Sequence, residues 1–446
     1  MIKRIPLYLL LFTFSFAHAE TIKTDVLVIG GGPSGVAAAI QSAHSKIKTL
    51  LIEPSLFLGG ITKAGGTVIL SANRDLPSGL WGEFRKKITA HYRNTPGYDT
   101  TYNAILRFEP YDGAEILKKW TDTVKNLTVK LGTSWKSIKK DGTGWDVTAI
   151  INNETVTIEA KVVIDATDDG AVAEKAGIKL KDKFDVYNDH GNHEIYRTAI
   201  ATGAALPGER NTTTVAGVYP AYPAYCIPMN AILTADADNL LTLNKALPGN
   251  NGIQFFPVQM NLGQGAGTVA AFCAFFKTTT KNLNVRIVQG ELLDFKGYLL
   301  PFTDVPQRDP HFRAIQQVSA TGLLKGIQKT KGNAIALNFE PDAAVKTDEI
   351  KPILTEMYTR AFLWFNKEKP GTQFTVGNLV SLISDYTLTD PKTLQIYLEK
   401  AWPTTFKLNG TFDLTRPVTR LEFAVLANRY LNPFARRVDL NWKLNN

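Results

Sequence analysis

The sequence predicts an α/β protein: a parallel β-α-β unit near the N-terminus, an interleaved β-rich region, and a mainly helical C-terminal region. Three observations carry this. An apolar strand, Asp25-Val-Leu-Val-Ile29, runs through three glycines into a small-residue helix reaching Ile40. A second apolar strand, Thr49-Leu-Leu-Ile52, follows that helix and ends at Glu53. A third, Ala160-Lys-Val-Val-Ile-Asp165, leads through a turn into another small-residue helix ending near Gly177.

In the first unit, Gly30, Gly32 and Gly35 stand at G-x-G-x-x-G spacing. The first permits a tight turn, the second lets the backbone approach a pyrophosphate, and the third lets the helix lie close to the sheet. The helix opening at Pro33 and Ser34 offers free N–H groups and its positive dipole end to phosphates. Glu53 lies 18 residues beyond Gly35, where an acid hydrogen-bonds a ribose hydroxyl in a Rossmann-like unit. Alone, a glycine-rich turn is equally a structural turn; strand, turn, helix, strand and acid in this order read as a dinucleotide cradle.

Residues 1–19 carry Lys3 and Arg4, an apolar run from Ile5 to Phe16, and Ala17-His18-Ala19 before Glu20. That is the layout of a secretory signal peptide, with an apolar run too short to span a bilayer. A secreted or periplasmic mature chain beginning near Glu20 is expected, with cofactor loaded after export. The rest is compositionally globular, 44% hydrophobic and 20% charged, with no membrane span expected. Net charge is +9, or +7 once Lys3 and Arg4 leave with the signal. The excess is scattered, so no nucleic-acid-binding stripe is formed. Cys226 and Cys273 are too few for a disulfide scaffold and sit in apolar settings, as buried thiols do. The spacing of His and Cys suggests no metal site.

After Glu53 come Pro54-Ser-Leu-Phe-Leu-Gly-Gly-Ile-Thr62 and a second glycine pair, Gly65-Gly66. Paired glycines let backbone pass close to a flat or bulky group, or simply make a surface loop. Glu53 and this segment resemble the FAD-dependent oxidoreductases of the glutathione-reductase-type flavin fold. Asp165-Ala-Thr-Asp-Asp-Gly170 is similar to that family's DATGDG segment, with Asp168 where the family often has glycine. Tyr225-Cys-Ile-Pro228, Asp238-Asn-Leu-Leu-Thr-Leu243 and Leu262-Gly-Gln-Gly-Ala-Gly-Thr268 resemble its closing flavin motif.

The resemblance covers roughly residues 21–299 and implies FAD, held by Gly30, Gly32, Pro33, Ser34, Gly35, Glu53, Pro54, Gly59, Gly60 and Thr62. It adds Ser134 near the adenine, Ala166, Thr167 and Asp169 in the returning segment, and Gly263, Gly265, Ala266 and Gly267 where a helix N-terminus approaches the flavin. A β-rich substrate domain at about 178–235 is implied as an insert. The family's arginine before the LGQ helix is replaced by Gln254-Phe-Phe-Pro-Val-Gln-Met260, and its Gly-Arg pair by Asn244-Lys245.

Between the motifs, Phe108-Glu-Pro-Tyr-Asp112 leads into a helix reaching Val124. A strand at Leu127–Leu131 follows, then a hairpin of Trp145–Ile151 and Glu154–Ile158 turning at Asn152-Asn153. Acid-base candidates are His190 and His193, one of which near neutrality takes a substrate hydroxyl proton as hydride passes to flavin N5. The same stretch also reads as a polar loop whose histidines are solvated. Lys245 opposes a reduced flavin's charge or caps a helix; Lys63, Asn73 and Arg74 are weaker candidates.

From about residue 300, Phe302-Thr-Asp-Val-Pro306, Gly322-Leu-Leu-Lys-Gly326 and Phe339-Glu-Pro-Asp342 resemble an S-layer homology repeat, and Gly410–Tyr430 ends a second copy. The resemblance implies either envelope-polymer binding or a packing module. The expected activity is hydride transfer between a small organic substrate, a sugar or a carboxylate, and FAD, with an unnamed electron acceptor. A catalytically decayed envelope-binding protein and an oxygen-using monooxygenase or oxidase are the alternatives.

Overall fold

The computed structural model describes residues 21–71, 73–178, 194–204, 224–234, 236–243, 253–331 and 334–445. The chain opens with β1 (Thr21–Ile29), α1 (Pro33–His44) and β2 (Thr49–Glu53). Then come β3 (Val68–Leu70), α2 (Gly79–Tyr92), β4 (Leu106–Phe108), α3 (Pro110–Thr123) and β5 (Leu127–Leu131). An antiparallel meander follows: β6 (Ser134–Asp141), β7 (Gly144–Ile151) and β8 (Glu154–Asp165). Next are α4 (Ala171–Lys175), β9 (Ala199–Ala204), β10 (Ala224–Pro228), β11 (Leu240–Thr242), α5 (Phe256–Phe276) and α6 (Val285–Asp294).

The main sheet has the order β5-β2-β1-β8-β7-β6, with β11 also on β8. Strands β5, β2, β1, β8 and β11 are parallel, as the β-α-β reading requires. β8 is one strand of 12 residues where the sequence pattern suggested two. Its first part pairs with β7, up to Ala160 opposite Trp145, and the same edge then receives β11, with Val163 opposite Leu240. The hairpin turns at Asn152 and Asn153, both at positive φ (52° and 67°), the left-handed pair that suits a two-residue turn.

β1 is apolar on both faces because both are covered. Val26 and Val28 face the core with α1 and α5, whereas Leu27 and Ile29 face a second cluster with Trp145, Val147 and Val163. α1 and α5 lie against each other through small residues. A Cβ on Gly263 would collide with the Ser34 carbonyl, and one on Gly267 with the Ala38 carbonyl. Gly35 likewise could not carry a Cβ without striking the Gly30 carbonyl.

The C-terminal region holds α7 (Phe312–Ser319), the hairpin β12 (Ile327–Lys331) and β13 (Ala334–Asn338), and the helices α8 (Thr347–Met357), α9 (Thr359–Glu368), α10 (Val376–Thr387), α11 (Pro391–Thr404) and α12 (Arg420–Leu426). Three of its turns close on one another in a ring. The Val345 amide donates to the Val418 carbonyl (3.0 Å), Val418 to Phe374 (2.9 Å) and Phe374 to Val345 (2.9 Å). Two residues on, Thr347 donates to Thr372, Val376 to Arg416 and Arg420 to Ala343. Each segment then enters a helix, so three quasi-equivalent units stand where the sequence suggested two copies. The middle one, Gln373-Phe-Thr-Val376, lacks the Thr-Arg-x-Glu signature that marks the last.

Candidate functional site

The cradle forms at the C-terminal end of β1, where ligands of parallel sheets bind. Gly30 has φ +107°, and a Cβ there would lie 2.6 Å from the Ala166 carbonyl oxygen, so the turn is pressed against the segment leaving β8. The Gly31 amide donates to Glu53 Oε2 at 2.6 Å, and the Ser55 amide to Glu53 Oε1 at 2.8 Å. These bonds fix the carboxylate at the end of β2, and each of its oxygens keeps a further lone pair for a hydroxyl donor.

Residues 54–66 form one wall. The Gly59 amide donates to the Gly31 carbonyl at 2.7 Å. Gly59, Gly60 and Gly65 are all at positive φ (86°, 60° and 71°), which only glycine adopts without strain. Thr62 is half-buried on the short 3-10 turn Ile61–Ala64, while Pro54 is exposed.

Residues 165–171 form the opposite wall. Asp165 is fully buried, accepting from the Thr167 hydroxyl (2.6 Å), the Thr167 amide (3.1 Å) and the Ala173 amide (2.9 Å). Burial pushes its carboxyl up from the ordinary range against the pull of those three donors. The Ala171 amide donates to both Thr167 Oγ1 and Asp169 Oδ1. Thr167 and Asp169 therefore shape the turn into α4, and Lys63 Nζ meets Asp168 Oδ2 at 3.5 Å across the cleft.

The closing glycines are placed differently from the expectation. Gly263, Gly265 and Gly267 lie inside α5, which begins at Phe256, rather than at a helix N-terminus. Gly263 and Gly267 face α1, Gly265 faces the Ile200 backbone, and Ala266 is fully buried. Their smallness serves the close approach of α1 and of β9 to α5. The helix end itself is at Phe256 and Pro257, where no side chain caps the first turn. Ser134 is exposed at the start of β6. His190, His193 and Lys245 lie outside the described residues, as does most of the expected insert, of which Ala199–Ala204 and Ala224–Pro228 form an antiparallel pair. Asn73 is buried, with its carbonyl accepting from Trp81 Nε1. Cys226 and Cys273 are both buried.

Sequence reasoning missed Asp165 as the anchor of its own turn, although a carboxylate ending an apolar strand was a signal. It also missed Gln264. Buried in α5, Gln264 accepts from the Leu80 amide (3.1 Å) and donates to Gln41 Oε1 (3.0 Å) and the Phe295 carbonyl (3.2 Å).

These surfaces fit a diphosphate-bearing dinucleotide. A Cβ on Gly32 would meet nothing within 4 Å, so this glycine faces open space at the mouth of α1, whose first turn has no side-chain cap. Uncapped N–H groups at a helix of this length favour an anion. Among the described residues, no helix is long and apolar enough to cross a membrane.

Comparison with known proteins gives the following. Digeranylgeranylglycerophospholipid reductase of Methanocaldococcus jannaschii is 29% identical over 174 residues, 36% of this chain and 42% of that protein. Thiamine thiazole synthase of Methanococcus vannielii is 47% identical over 47 residues, 10% of this chain and 18% of that protein. The chain thus matches these curated relatives over less than half of their length. Among solved structures, a flavoprotein/dehydrogenase from Cytophaga hutchinsonii aligns with TM-score 0.36 and 15% identity, covering 67% of this chain and 92% of that one. The THI4 protein of Thermovibrio ammonificans aligns with TM-score 0.33 and 18% identity, covering 57% and 90%. The model of the family described as FAD dependent oxidoreductase matches residues 25–182 and 185–292, more than half of the 446 residues, including the glycine turn and both walls of the cradle. The chain belongs to the FAD-dependent oxidoreductase family, and its cofactor is FAD.

Proposed function

We propose that this protein is an exported oxidoreductase that passes hydride between a small organic substrate, a sugar or a carboxylate, and FAD, with a separate acceptor closing the cycle. The observation that carries the reading is the open mouth of α1 at Gly32, flanked by Glu53 and by the turn at Ala166, within the span matched by the family. Gly30, Gly32, Pro33, Ser34 and Gly35 would hold the diphosphate, and Glu53 the ribose. Residues 54–62 and 166–169 would line the rest of the cofactor. When bound, FAD supplies a hydride acceptor or donor at N5. The uncapped first turn of α5 would orient the pyrimidine end, and its dipole favours negative charge there. His190 or His193 would take the substrate proton, with Lys245 opposing the charge of the reduced state. Export rests on the layout of residues 1–19.

The test is the visible spectrum of the protein from Glu20 onward, with identification of any chromophore released by heat. Flavin bands and near-stoichiometric FAD support the reading, and anaerobic bleaching by one of a panel of sugars and hydroxy acids would name the substrate class. A folded protein that is colourless and takes up no added FAD would overturn it. Peroxide made on reoxidation would point to an oxygen-using enzyme instead.

A second role is supported by the ring of three quasi-equivalent units, beside which α9 exposes Phe362 and Leu363, α11 exposes Ile396 and Tyr397, and Leu388 is exposed just after α10. We propose that this region holds an envelope polymer. Co-sedimentation with purified cell-wall material tests it, and a protein that stays wholly in the supernatant would remove this role.

A further inference from the structure

The three segments that wall the cradle, residues 30–35, 53–66 and 165–170, contain four carboxylates, Glu53, Asp165, Asp168 and Asp169, and one basic residue, Lys63. The ligand they face brings two more negative charges on its diphosphate. Helix N–H groups and dipole offset part of this. Glu53 is held by two backbone amides and Asp165 by three donors in the interior, so both are accounted for within the protein. Asp168 is exposed, in the turn that follows β8. A carboxylate there adds a repulsive charge beside the Gly30 turn, against which the Ala166–Thr167 backbone is packed. Lys63 comes from the glycine-rich wall on the other side and reaches Asp168 at 3.5 Å. Both side chains are more than two-thirds exposed, at 79% and 71%, so the pair is not a fold-stabilising buried bridge.

We propose that Lys63 is a cofactor-positioning residue: it neutralises Asp168 and sets the charge of the cleft for the diphosphate of FAD. This rests on the cradle being the FAD site. Exposed charges interact modestly and are screened by salt, so the effect belongs at low ionic strength.

The experiment is reconstitution of flavin-free full-length mature protein with FAD, followed by quenching of flavin fluorescence, for wild type, Lys63→Met, Asp168→Asn and the double variant. Lys63→Met should weaken FAD binding about 3- to 10-fold at low salt, and the loss should shrink as salt is raised. Asp168→Asn should bind FAD as tightly as wild type or more tightly. The double variant should return to within about twofold of wild type, since two charges that cancel are removed together. Melting temperatures of the flavin-free proteins should be unchanged. The proposal is overturned if Lys63→Met binds FAD as wild type does, or if Asp168→Asn weakens binding as much as Lys63→Met, which would make the pair a mechanical clasp. Failure of the wild-type protein to take up FAD at all would instead strike the cofactor site itself.

Discussion

Gln264 lies in the stretch that the flavin resemblance assigned to the cofactor, yet its amide is occupied by protein partners on three elements. Gln264→Leu keeps the volume and leaves the Leu80 amide, Gln41 Oε1 and the Phe295 carbonyl without this partner in the interior. Unpaired buried polar groups cost about 1–3 kcal/mol each, with partial relaxation, so a loss of about 3 kcal/mol in chemical denaturation is expected. A loss below about 1 kcal/mol would mean that water replaces the amide. Tyr92 gives a pH signature. Its hydroxyl donates to Asp112 and accepts from the Glu109 amide at 2.9 Å, and burial, then the Asp112 bond, push the phenol up to about 12. The folded value exceeds the unfolded one of about 10. Stability held below pH 10 is therefore lost as pH climbs from about 10 towards 12. Denaturation midpoints across that window should fall in wild type and stay flatter in Tyr92→Phe. The two thiols offer a simpler check: burial pushes Cys273 up to about 12 and Cys226 higher still. Neither should react with a thiol reagent at neutral pH until the protein unfolds.

Two glycines of similar motif character separate cleanly at the level of elements. Gly263 sits in the seam between α1 and α5, where a methyl group would meet the Ser34 backbone, whereas a methyl group on Gly32 meets nothing within 4 Å. Gly263→Ala should destabilise the protein by about 2–3 kcal/mol, because backbone cannot yield as a side chain can. Gly32→Ala has a compatible extended backbone (φ −63°, ψ −178°), so stability should hold to about 0.5 kcal/mol. FAD affinity should nevertheless fall at least about tenfold, since the methyl group occupies the space of the phosphates. Equal effects of the two substitutions on stability would refute this division. The elements themselves were legible: β1, α1, β2, α3, β5 and the Asn152-Asn153 hairpin follow from alternation, glycine spacing and turn residues. What periodicity could not show was partner choice. β8 reads as two strands because its edge changes partner from β7 to β11 near Val163, and the glycines of α5 read as ligand residues because helix packing and ligand contact both demand a missing side chain. The candidate site was legible where spacing encodes backbone geometry, at Gly30–Gly35 and Glu53. It was not legible where a contact crosses the chain, as between Lys63 and Asp168.

For the molecule as a whole, the boundary near residue 300 is a change of texture and not of core. Leu299, Phe302, Phe339 and Val418 belong to the same apolar cluster as Val26 and Ala38. Arg197, just before β9, is completely buried and reaches into the C-terminal region. It makes paired bonds to Glu356 of α8 (3.0 and 2.7 Å) and donates to the carbonyls of Thr321 and Trp442, with Glu194 alongside at 2.8 Å. Arg286 of α6, in turn, donates to the Arg436 carbonyl. Since β9 packs on the helix that carries Gly263 and Gln264, a strain at Glu356 is transmitted to the elements around the cofactor through ordinary contacts. Removing Glu356 leaves a buried guanidinium with Glu194 as its remaining carboxylate, a loss we place at about 2 kcal/mol because one charged partner survives. Glu356→Ala should therefore lower the temperature of flavin release and of helix melting together, in one transition followed by flavin fluorescence and far-ultraviolet dichroism. If the C-terminal region were an independent appendage, the same substitution would lower only part of the dichroism transition and leave flavin release where it was. A chain ending at Leu299 should then remain folded and coloured, whereas a shared core predicts that it aggregates.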